Sequence, residues 1–179
     1  KSTKVFAQQT PQTFTYDLDG NMLTDGRFTY DWNAENRLVK VSNAADTQVI
    51  AEYTYDYMGR LAIKSVYDDQ GVLDKSIKYV YDGWNLIAEF DYDGANHTLT
   101  KSYLRGEDLS GSLQGAGGVG GLLAITDHDE SKTYLPTYDG NGNVTAYVDA
   151  SNGQVVAEYE YDPFGRTISK TGSKADDFN

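Results

Sequence analysis

The sequence predicts an all-β fold of tandem antiparallel hairpins, and three observations predict it. One run of residues is written twice: Gln48–Arg60 (QVIAEYTYDYMGR) returns as Gln154–Arg166 (QVVAEYEYDPFGR), with a partial copy at Leu86–Gly94 (LIAEFDYDG). Within the run, residues alternate. Val49, Ala51, Tyr53 and Tyr55 share one face of an extended strand and Ile50, Glu52, Thr54 and Asp56 the other, which is the period of two of β structure. The Tyr face is expected to be the packed one. Each run ends in Asp-x-x-Gly, whose Asp can accept a bond from the backbone two residues on and whose Gly can take a positive φ.

Taken in order, residues 1–11 read as a polar lead-in strand or tail, 12–170 as the repeat domain, and 171–179 as a polar tail or a link to a downstream region. The Asp-x-x-Gly turns are Asp17 to Gly20, Asp56 to Gly59, Asp139 to Gly142 and Asp162 to Gly165, the last with Pro163 where a type I turn favours it. Before each turn runs an aromatic ladder of Tyr16, Tyr30, Tyr53, Tyr55, Tyr79, Tyr81, Tyr92, Tyr159 and Tyr161. After each turn a polar residue and an apolar run restart the chain, as in Arg60-Leu61 and Arg166-Thr167-Ile168. No segment carries an i, i+3, i+4, i+7 apolar pattern, so almost no helix is expected.

The 179 residues suffice for one domain with a core. There is no Cys, so disulfides and thiolate metal sites are excluded. A net charge of −12 disfavours nucleic acid, whose phosphates are bound by Lys and Arg. No run of 18 apolar residues marks a membrane span. Fifteen Tyr and 18 Gly against 3 Pro describe short strands with tight turns.

Motifs that could carry chemistry each have a plainer reading. Gly115 to Gly120 spells G-x-G-x-x-G, but a short apolar strand follows where a dinucleotide site needs a helix. Asp-rich turns at Asp17, Asp91 and Asp139 offer oxygens to calcium yet lack the Glu of an EF-hand at the twelfth position. His97 and His128 fit no metal spacing and read as solvated loop residues. Ser110 and Ser112 lack a nucleophile elbow. Trp32 and Trp84 read as turn residues after Tyr-Asp and are the candidate sugar contacts. No catalytic, cofactor or metal-binding residue is assigned.

Tandem Tyr-Asp-x-x-Gly units followed by Arg or Asn resemble the YD repeats of the Rhs family. The Gly-rich stretch Tyr103–Ile125 is similar to that family's C-terminal associated core, and the Tyr-Asp-Pro-Phe-Gly-Arg ending belongs there too. The resemblance covers about residues 12–170. It implies an extended, twisted sheet of hairpins wound in a spiral, as in bacterial toxin-complex shells and teneurins. A chain this short cannot close such a shell, so its sheet edges are expected to stay open for pairing. The function expected is that of a non-enzymatic bacterial structural protein, extracellular or at the cell surface, that pairs with copies of itself or flanking YD repeats into a fibre or shell. The alternatives are a carbohydrate-binding adhesion module, with glycans as partners, and a fragment of a toxin-encapsulating shell.

Overall fold

The computed structural model describes residues 12–178, so the expected lead-in at 1–11 lies outside the described residues. Those residues are all-β, and every strand pair described is antiparallel. The chain forms two compact units that divide after Ile77.

The first unit holds β1 (Thr15–Tyr16), β2 (Met22–Thr24), β3 (Phe28–Trp32), β4 (Leu38–Asn43), β5 (Val49–Tyr55) and β6 (Leu61–Tyr67), with β7 (Leu73–Asp82) carrying the boundary. Each strand from β1 to β6 pairs with its neighbour in sequence. Alternation along β5 follows the period of two: Ala51 is buried and Tyr53 and Tyr55 half-buried, while Glu52 and Thr54 are exposed. Most other strand residues here are half-buried, as in a sheet one layer thick.

The second unit holds β8 (Asn85–Tyr92), β9 (His97–Arg105), β10 (Leu122–Asp127), β11 (Lys132–Tyr138), β12 (Val144–Asp149), β13 (Val155–Tyr161) and β14 (Thr167–Thr171). From β8 to β14 the strands again pair in chain order. Its core is built on tyrosine: Tyr134, Tyr147 and Tyr159 are buried with Ile125, Ala157 and Ala175, and Tyr103, Tyr161 and Phe178 pack around them. Tyr147 meets Tyr159 edge to face at 6.4 Å, a geometry aromatic pairs favour.

Residues 172–178, read from sequence as a polar tail or link, form a strap over this core. Gly172 starts it with φ +108°, and a Cβ there would lie 2.3 Å from the Val156 carbonyl oxygen. Lys174 N–H then donates to Val156 O, Tyr159 Oη donates to Ala175 O, and the Phe178 ring reaches Tyr134 and Tyr147 at 5.0 and 4.5 Å. Lys174 pins the strap to Glu130 at 2.5 Å and also pairs with Asp177 within it at 3.0 Å.

Two substitutions test this account. Gly165 sits at φ +83° with nothing within 4 Å of where a Cβ would go, so Gly165→Val isolates backbone strain. It is expected to lower stability by about 1–2 kcal/mol in denaturant melts; unchanged stability would contradict the turn. Ser42 is 1% exposed, and its hydroxyl has no hydrogen-bond partner among the described residues. Ser42→Ala is therefore expected to be neutral or stabilising by up to about 1 kcal/mol, and a clear loss in the same melts would reveal a partner.

Candidate functional site

The turns are one device repeated. In each, the first residue's N–H donates to the carbonyl four residues on, the fourth residue's N–H returns to the first carbonyl, and the first side chain accepts the amide two residues ahead. The fifth residue's amide closes the set by donating to the same oxygen. Asp17 Oδ1 accepts from Asp19 and Asn21 at 2.9 and 2.8 Å, Asp56 Oδ1 from Met58 and Arg60, Asp139 Oδ1 from Asn141 and Asn143, and Asp162 Oδ1 from Phe164 and Arg166. Gly20, Gly59, Gly142 and Gly165 have φ between +80° and +87°. Pro163 lies at the second position of the last turn, beside the 95%-exposed Phe164.

The structure adds copies that the sequence reading did not count. Asp68 to Gly71 makes the same bonds, with Asp68 Oδ1 accepting from Gln70 and Val72. Asn33 does so as well, accepting from Glu35 and Arg37, with Asn36 at φ +58° in the glycine's place. Asn36 could have been found by asking which non-glycine residue best tolerates the left-handed region.

The residue before four of these turns has a second task. Tyr55, Tyr138 and Tyr161, each the last residue of its strand, donate from Oη to the carbonyl of the first residue of the preceding strand: Leu38, Leu122 and Val144. Trp32 does the same through Nε1, bonding Met22 O at 2.8 Å. Trp32 therefore ends strand β3 and is not in a turn; its N–H is committed to the fold, and it stands where Tyr55, Tyr138 and Tyr161 stand in their strands. Trp84 does lie in the β7–β8 turn and is 62% exposed.

The rest of the ladder is unevenly covered. Tyr16 is 55% exposed on β1, and Tyr53, Tyr79 and Tyr81 are half-buried. Tyr30 bonds Asp25 Oδ2, and Tyr92 stacks on His97 at 4.9 Å. His97 begins β9 rather than lying in a loop, and His128, in the β10–β11 turn, has Nε2 2.9 Å from Ser102 Oγ. Tyr103 donates to Glu89 at 2.6 Å; burial first, then that carboxylate, push its phenol well above the usual range.

The glycine-rich loop between β9 and β10 folds around Asp108, which is 6% exposed. Its Oδ2 accepts from the amides of Ala116 and Gly118 at 2.7 and 3.1 Å, and its Oδ1 from the amide and hydroxyl of Ser110. A carboxylate of the chain itself thus occupies the ring of N–H groups that a phosphate would need. The Ser110 hydroxyl, with those amides, holds the Asp108 carboxyl at about 2. The loop also covers the β11–β12 turn, since a Cβ on Gly142 would meet Val119 at 2.6 Å and Leu109 at 3.0 Å.

Among the described residues no three His, Asp or Glu side chains converge in a way that could hold a metal, and no helix is long and apolar enough to cross a membrane. The remaining candidate is the pair of strand edges. Among the described residues β1 pairs with β2 alone and β14 with β13 alone. On β14, Thr167, Ile168, Lys170 and Thr171 are exposed.

Comparison with known proteins bears on this arrangement. A teneurin YD-shell family model matches residues 3–178. A tRNA3(Ser)-specific nuclease WapA of Bacillus spizizenii is 32% identical over 162 residues, and a tRNA nuclease WapA of Bacillus subtilis 33% identical over the same length. Both alignments cover 90% of this chain but only 6% of the relative. A Photorhabdus luminescens Tc holotoxin pore structure matches with a TM-score of 0.61 at 15% identity, over 92% of this chain and 8% of that one. A TcdB2–TccC3 structure lacking its hypervariable C-terminal region matches with a TM-score of 0.54 at 16% identity, over 86% and 7%.

Acid sensitivity follows from the turns. The side-chain amides of Asn21, Asn96 and Asn143, with nearby backbone N–H groups, hold the carboxyls of Asp17, Asp93 and Asp139 below their ordinary value, Asp93 at about 2, like Asp108. A carboxyl with a lowered folded pKa stabilises fully above its unfolded value of about 3.9 and ceases to as pH falls through the folded one. The melting temperature is expected to fall between about pH 4 and pH 2, even as the net negative charge is neutralised. A flat or rising melting temperature there would contradict it.

Proposed function

The chain belongs to the teneurin YD-shell family, and from that premise we propose that it is a non-enzymatic wall segment that joins further YD hairpins through the edges of β1 and β14. One observation carries the reading: among the described residues each strand pairs with its sequence neighbours within its unit, and β1 and β14 each have a strand on one side alone, so pairing can continue there. The product is a larger shell or a fibre, secreted from or held at the surface of a bacterium.

The nuclease activity in the relatives' names is assigned to sequence outside the matched stretch. Support comes from size, because the match spans about 6% of their length, and from chemistry, because the turn carboxylates are already bonded to backbone amides. The likeness to Tc structures supports a more specific form of the same role, a wall around a cytotoxic domain encoded downstream. Trp84 is the exposed indole that a carbohydrate-binding role would rest on, and with the Trp32 N–H bonded to Met22 O that role is the weaker one.

Negative-stain microscopy with light scattering over a concentration series tests the structural role: shells, filaments or mass growing with concentration are expected. A tRNA cleavage assay on the purified chain is expected to leave tRNA intact. A monomer at every concentration that cleaves tRNA would overturn the reading.

A further inference from the structure

We propose that the outer edge of β14 pairs with the same edge of a second copy of this chain, antiparallel and centred on Ser169. This rests on the reading that strand edges are the working surfaces, and names the partner of one of them.

The strap is the first argument. In a run of hairpins the residues after β14 would turn back and cover its outer edge. Here Gly172 sends the chain the other way, over Tyr159 to Tyr134 and Tyr147, and Lys170 on β14 bonds Asp176 of the strap at 2.5 Å. Residues 172–178 therefore leave the edge, and a strand that covers it comes from elsewhere.

The sequence of the edge identifies that strand. β14 reads Thr-Ile-Ser-Lys-Thr, the same in character from either end. Antiparallel pairing centred on Ser169 sets Thr167 of one copy against Thr171 of the other, Ile168 against Lys170, and Ser169 against itself. Thr–Thr pairs are favourable across strands and no like charges meet. Ile168, 60% exposed, gains the aliphatic stem of Lys170 as a neighbour. The two-residue β1 offers far fewer backbone groups to such a strand.

Charge permits the pair. The exposed Glu158 and Glu160 lie on β13, one strand in from the edge. In the pair the two acidic rows stand three strand spacings apart, about 14 Å, beyond the Debye length of about 8 Å at physiological ionic strength. Two five-residue strands alone bury little, so association is weak and concentration-dependent.

The chain has no cysteine, so single-cysteine variants read the register directly. Ser169→Cys is expected to form a disulfide-linked dimer under mild oxidation at least about tenfold faster than Thr167→Cys or Thr171→Cys, whose partners lie opposite different residues. Equal rates, or none at Ser169, would overturn the proposal. A second pair guards against effects on folding. Ile168→Lys sets like charges against Lys170 and Ile168→Glu opposite ones; both remove the same exposed side chain. Sedimentation should show the Glu variant associating at least about tenfold more tightly. Identical behaviour of the two variants, or a wild-type chain monomeric throughout, would overturn self-pairing. Assembly that ignores position 168 would reject this partner while leaving the wall role standing; tRNA cleavage by the monomer would reject that role itself.

Discussion

The fold depends on a short polar acceptor placed to catch backbone amides two and four residues ahead. At Asp17, Asn33, Asp56, Asp68, Asp139 and Asp162 the same oxygen closes the same turn. A sheet one layer thick has little apolar burial to set its register, so register falls to local chemistry. In the first unit Ala51 is the buried apolar side chain among the described residues. The turns there fix which residues face each other, and the strands follow. Before four of these turns Trp32, Tyr55, Tyr138 or Tyr161 adds a second tie, from its polar tip to the start of the preceding strand, so those strands are held at the turn and at the ring.

In the second unit the ring becomes a core. Tyr134, Tyr147 and Tyr159 supply large buried area, and the Tyr134 and Tyr159 hydroxyls donate to Glu130 and to the Ala175 carbonyl. Burial pushes the Tyr134 and Tyr147 phenols up to about 12. The strap finishes the cover with a single phenyl ring, and the acid–base pair of Glu130 and Lys174 fixes where that ring lands.

Much of this was legible in the sequence because a turn that needs a particular side chain writes it at a fixed distance from a glycine. The Asp-x-x-Gly spacing, the period-two strands and the family resemblance all read directly. What escaped the reading was chemistry done by a substitute. Trp32-Asn33 performs the work of Tyr-Asp, but indole for phenol and amide for carboxylate hide it from a pattern. Asp108 carries no motif that sets it apart in an acidic chain, and only the folded loop shows it facing inward. The strap was hidden for a different reason: Ala175 and Phe178 sit in a polar run, and their burial depends on a surface made by strands distant in sequence.

Strand order within each unit also has a kinetic meaning. When every strand pairs with its neighbour in the chain, closing each contact costs only a short loop's entropy, and the turn that closes it carries its own hydrogen bonds. Such a chain has low contact order, the condition for rapid folding that can start at any hairpin and spread outward. A hairpin can therefore form as soon as its second strand is synthesised, without waiting for a distant partner. The strap is the exception, since its ring needs β11 and β12 already in place, so it closes last.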